Sequence, residues 1–198
     1  MSGISIYSPR ISARSKYIFN LIFNEILGVE HTLITDAVEF RNAGGAKLCY
    51  SEKPIDSEVF FFSTPLLFEK GINDQQITVF EWEGLPAFFG THPGFAFPFD
   101  VFAASFYLVS RYEEYLPHIK DEHERFLPKE SLAYQKNFLH KPLVNLWAGK
   151  LKEKILERFP DFPFPEKKFS YLSSIDVDSV FAFREKGIWK MGVEQKKK

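Results

Sequence analysis

Apolar positions along this chain fall first into short runs and then into helical spacings. Residues 4–8 read as a short opening strand. A helix follows, capped by Ser12 or Ser15 and running to about Leu27, with Ile18, Leu21, Ile22 and Ile26 in register and Gly28 as its stop. Residues 31–40 are rich in β-formers, and Gly44-Gly45 predicts a turn into a second strand over 46–50, more in the manner of a hairpin than of a parallel crossover. The continuous apolar run 59–63 fits a strand covered on both faces. Residues 77–82 and 85–89, joined by Glu83-Gly84, read as another hairpin.

The stretch FPFDVFAASFYLVSRYEEYLP, residues 97–117, is the element around which the rest is expected to pack. Asp100 stands as N-cap and Pro117 as terminator, which predicts one helix over 100–116. Its apolar residues, Phe106 among them, cover nearly every face, so the helix belongs in a core. Glu113 and Glu114 then fall in its last turn, where the helix dipole disfavours carboxylates. Such a pair can serve acid/base or metal chemistry. A salt-bridged terminus, with Arg111 reaching Glu114 at i,i+3, explains them without any site.

Residues 117–141 turn polar and irregular. Asp121 and His123 have metal-ligand chemistry there, but no second histidine follows at i+4, and an exposed acidic loop accounts for the run. Pro142 opens another helix with Leu143, Leu146, Trp147, Leu151, Ile155 and Phe159 on one face. PDFPFP, residues 160–165, is a stiff boundary. The expected fold is α/β, a mixed sheet packed with helices over 1–165, followed by a separate segment, 166–198.

Composition narrows the function classes. The chain has 198 residues, 45% apolar and 26% charged, and its 23 Phe supply ample core. A net charge of −1 gives no general affinity for nucleic acid or anionic membrane. The helix over 100–116 is too short and too charged at its end for a comfortable membrane span. Cys49 is the only cysteine, which excludes an intrachain disulfide and a cysteine-based zinc site. The opening MSGISIYSPRISARS has no apolar signal region, so a cytoplasmic location is the expectation.

The chemistry-bearing stretch is FSYLSSIDVDSVFAF, in which residues 169–178 read as a strand ending on Asp176 and Asp178. Carboxylates at a strand's carboxyl end stand where α/β folds place ligands. Two residues apart, they share one face at ~7 Å along the strand. One can hold a divalent cation while the other takes a proton from water. A bare D-x-D also fits an acidic strand end at a surface.

SSIDVDS resembles the first motif of the polysaccharide deacetylase family (carbohydrate esterase family 4 and its relatives). FDVFAASFYLVSRYEEY, DEHERF and KPLVNLWAGKL are similar to the long N-terminal region of bacterial members. The resemblance implies that 166–198 begins a distorted (β/α) barrel, with Asp176 as general base and Asp178 as metal-binding aspartate. It also implies zinc or a similar divalent cation and an N-acetylated sugar or polysaccharide as substrate. The family's two metal-binding histidines have no counterpart here, since His31, His92, His118, His123 and His140 all precede the motif. The expectation is therefore an accessory domain plus the first strand of a truncated barrel, catalytically incomplete in this chain. Two alternatives stand beside it: a fragment of a metal- and nucleotide-sugar-dependent glycosyltransferase using the D-x-D, and a non-catalytic module that binds a partner or glycan.

Overall fold

A computed structural model describes residues 3–55, 59–166 and 168–176. The chain divides into two compact units, Met1–Pro165 and Glu166–Lys198. The first is built on four parallel strands, β1 (Ile4–Tyr7), β2 (His31–Ile34), β3 (Ala46–Ser51) and β4 (Val59–Phe62), in the order β2-β1-β3-β4. Ile4, Ile6, Leu48, Tyr50 and Phe61 belong to the main core, while Tyr7, Cys49 and Phe60 join a smaller cluster with Phe40. This is the alternation that a sheet covered on both faces requires.

Helical connections explain why β1, β2 and β3 run the same way. After β1, Ser12 caps α1 (Ala13–Phe19) through a reciprocal pair of 2.9 Å bonds between the backbone and side chains of Ser12 and Ser15. The helix widens into π turns over Asn20–Ile26, and Gly28, at φ 71°, ends it in a conformation that costs glycine little. β2 is shorter than the β-rich pattern of 31–40 predicts. Asp36 accepts a 2.8 Å hydrogen bond from the Glu39 N–H and starts α2 (Ala37–Asn42), which carries Val38 and Phe40 on a helix instead. With a helix between β2 and β3, Gly44-Gly45 cannot close a hairpin, and β3 returns parallel to β1 on its other side.

Antiparallel pairing among the described strands is confined to β5 (Phe80–Trp82) and β6 (Leu85–Ala87), which form a separate two-stranded ribbon. Glu83 and Gly84 both take positive φ, the turn the sequence announces. The expectation of a single mixed sheet is corrected accordingly: one wholly parallel sheet and one hairpin.

The element expected at the centre is there, but in two pieces. α3 (Val101–Val109) buries Val101, Phe102, Ala103, Ala104, Ser105 and Tyr107. Arg111 then adopts φ 52°, ψ 45°, and a 3₁₀ turn over Tyr112–Tyr115 leaves in a new direction. The break buries Tyr112, whose hydroxyl accepts from the Asn73 N–H at 2.9 Å and donates to the Asn73 carbonyl at 3.1 Å. It also moves Glu113 and Glu114 from the negative end of one helix to the first turn of another, where carboxylates are favoured. Phe106, expected in the core, is only partly buried.

α4 (Leu132–Gln135) is a single turn, and α5 (Leu143–Arg158) closes the layer over α3. Trp147 is its anchor, fully buried and donating from Nε1 to the Pro86 carbonyl at 3.2 Å. Leu146, expected on the inner stripe, is exposed; Val144 and Ala148 fill the inner face instead. In the second unit, residues 168–176 form no strand, and Phe169, Tyr171, Leu172 and Ile175 are exposed. The strand predicted for 169–178 is thus not formed over those residues. A strand needs a neighbour for its backbone groups, and none pairs with 168–176 among the described residues. No helix among the described residues is long and apolar enough to cross a membrane.

Candidate functional site

Glu113 and Glu114 share a turn but not a task. Glu113 Oε2 accepts from the Leu132 N–H at 2.7 Å, which supplies an acceptor at the start of α4. Glu114 pairs with Arg111. The two carboxylates therefore have different partners and do not converge on one point. Burial pushes the Glu113 carboxyl above its ordinary range, opposed by the Leu132 N–H and reinforced by Glu114. With a raised folded value, its stabilising contribution is full below the ordinary range and is lost as pH rises through the folded value. Glu113→Gln, which keeps the acceptor and removes the charge, is expected to be no less stable than the parent at neutral pH. Glu113→Ala leaves the Leu132 N–H unpaired and should lose about 1 kcal/mol. Urea titrations of the two variants check this; equal losses would deny the capping role.

The neighbouring polar loop is ordered by its own charges. Asp121 accepts from the backbone N–H groups of His123 (2.8 Å) and Arg125 (2.9 Å) and from Arg125 Nε at 2.9 Å. Those bonds, led by the Arg125 backbone, hold its carboxyl below the ordinary range. A depression of about 780 Å³ lies beside it, but its facing charges are largely neutralised by the Arg111–Glu114 and Arg125–Asp121 pairs. Among the described residues no three His, Cys, Asp or Glu side chains are grouped so as to hold a metal.

Asp176 is exposed in the second unit, and Asp178 lies outside the described residues. Their joint geometry is therefore not on view, and the metal-site expectation rests on the motif itself.

The carboxyl edge of the parallel sheet holds polar groups that the sequence pattern did not single out. β1, β3 and β4 end on or are followed by a buried serine: Ser8, Ser51 and Ser63. Behind them Asp100 is completely buried and accepts five hydrogen bonds. Its Oδ2 takes Tyr50 Oη (2.8 Å), Thr64 N (2.7 Å) and Thr64 Oγ1 (2.8 Å). Its Oδ1 takes Phe102 N (3.1 Å) and Ala103 N (3.0 Å). Asp100 thus caps α3 and ties that helix to β3 and to the residue after Ser63. In front of this knot, a crevice of about 500 Å³ opens between the loops that follow β1 and β3. Only the capping role of Asp100 was visible in sequence; the signal for the rest is a serine closing each of three apolar runs.

The fold and this edge define the class of the first unit: an open, parallel α/β domain with a cleft where the strand order reverses. The chain belongs to the family of unknown function DUF7033, which it matches over residues 4–160. No curated protein and no solved structure matches it significantly.

Proposed function

We propose that residues 1–165 form an accessory domain standing ahead of a metal-dependent sugar or polysaccharide N-deacetylase segment that begins in 166–198. The observation that carries this is the position of SSIDVDS. The family match ends at residue 160 and the compact first unit at Pro165, so the motif opens the next unit instead of closing this one. The parent reaction is hydrolysis of an acetamide: water adds to the carbonyl carbon, the C–N bond breaks, and acetate and a free amine leave. Asp176 takes the role of general base and Asp178 that of metal ligand.

Asp176 and Asp178 do not by themselves make a zinc centre. They supply two carboxylates at most, whereas catalytic zinc sites use three protein ligands. The 198-residue chain should accordingly bind zinc weakly in isothermal titration and release no acetate from N-acetylglucosamine oligomers. The decisive assay is acetate release by the protein of the full natural reading frame, beside its Asp176→Asn and Asp178→Asn variants. Activity lost in both folded variants supports the assignment. Activity kept in the double variant overturns it, as does tight binding of a nucleotide-sugar that depends on the same two aspartates.

A further inference from the structure

We propose that the crevice at the carboxyl edge of the parallel sheet binds a small phosphorylated molecule through Arg10, Lys53 and Ser63. The proposal concerns the first unit alone and stands whether or not the second belongs to a deacetylase.

Topology opens the space. From β1 the chain goes through α1 to β2 on one side; from β2 it returns through α2 to β3 on the other side. The loops after β1 and β3 therefore part, and open α/β sheets place their ligands in the crevice so formed. At about 500 Å³ it has the size of a site for a small organic ligand.

The two loops are built alike. Ser8 Oγ donates to the carbonyl of Arg10 at 2.7 Å, and Ser51 Oγ donates to the carbonyl of Lys53 at 2.5 Å. In each, a buried serine at the strand end clasps the backbone of a basic residue two positions on. A basic residue is thereby carried on either side of the opening. The Arg10 guanidinium lies over the Phe68 ring, 4.7 Å from its centroid, a cation–π contact that steadies it at the crevice. Neither Arg10 nor Lys53 has a carboxylate partner among the described residues, in contrast to Arg111, Arg125, Lys150 and Lys154. Glu52 also lines the crevice, so its described lining carries one negative charge against two positive.

Ser63 completes the set. It is 8% exposed, lines the crevice, and its hydroxyl has no hydrogen-bond partner among the described residues. Two cations and a hydroxyl donor suit a phosphate dianion better than a single carboxylate. Tyr7 and Phe68 on the same lining give the organic portion of the ligand an apolar surface.

The test is titration of the 198-residue chain at low ionic strength with inorganic phosphate, glucose 1-phosphate and adenosine monophosphate, by calorimetry and amide chemical shifts. At least one organic phosphate should bind, and Arg10→Gln and Lys53→Gln should each weaken it about tenfold. Lys154→Gln, remote and paired with Glu157, should leave binding unchanged. Sugar phosphate bound in preference to nucleotide, or the reverse, identifies the source of the phosphate. All three exchanged residues are exposed or half-exposed, so circular dichroism should report an unchanged fold. No binding at millimolar concentration by any probe, or equal binding by every variant, overturns the proposal. Neither result bears on the acetate-release assay, which reads Asp176 and Asp178.

Discussion

Asp100→Ala is expected to lower the unfolding free energy by about 3–5 kcal/mol, enough to leave a domain of ordinary stability partly unfolded. The five donors around this carboxylate are all buried or partly buried, and the substitution leaves them unmatched at once. Loss of the helix cap alone accounts for about 1 kcal/mol, and the orphaned Thr64 and Tyr50 groups supply the remainder. Asp100→Asn should recover only part, because its amide brings N–H groups against a site crowded with donors. The pH dependence has a definite sign. Burial pushes the Asp100 carboxyl above the ordinary range, while the Ala103 and Thr64 backbone donors and the Tyr50 and Thr64 hydroxyls pull it back. The folded chain holds that proton to higher pH than the unfolded chain. The contribution is therefore full below the ordinary range and lost as pH rises through the folded value. Urea unfolding followed by tryptophan fluorescence measures both effects. A midpoint within error of the parent would remove Asp100 from the centre of this network.

Phe102→Ala should be equally severe, at about 3–5 kcal/mol, because its ring is the hub of the aromatic core. It stands 4.9 Å from Phe19, 5.2 Å from Tyr50 and 5.4 Å from Phe61, each centroid pair edge-on, so helix, sheet and α3 all meet on it. Rigid neighbours on several sides cannot collapse into the space a truncation leaves. Phe106→Ala is the control. Its ring is partly exposed beside Tyr17 and the Arg14 guanidinium, and about 1–2 kcal/mol is expected. If the two substitutions proved equal, the face of α3 turned to the sheet would be misassigned.

The difference between these two phenylalanines shows what the sequence withheld. A helix apolar on every side announces burial but not orientation, so Phe102 and Phe106 look alike until the sheet is placed. The helix ends were legible where chemistry is local: Ser12 with Ser15, Gly28, and Asp100. At Asp36 the same local signal was overridden in the pattern by Val38 and Phe40, whose β preference is weaker than a formed cap. Direction of pairing was not legible at all, since Gly44-Gly45 serves a crossover as readily as a hairpin. The break at Arg111 depends on Asn73, far away in sequence, receiving the Tyr112 hydroxyl. The basic residues of the crevice were silent because each belongs to a different loop, and only the reversal of strand order brings them together.

The position of β1 has a consequence for how the domain comes into being. Among the four strands of the sheet Ile4–Tyr7 is synthesised first, yet it lies inside the sheet with a neighbour on either side. It has no partner until His31–Ile34 has been made, and its second flank stays open until Ala46–Ser51 follows. Each of the two pairings of β1 must also close a loop containing a whole helix, an entropic toll levied before any ladder bond forms. The nascent strand must therefore wait, apolar and unpaired, through the synthesis of its neighbours, a span in which a chaperone would find its grip.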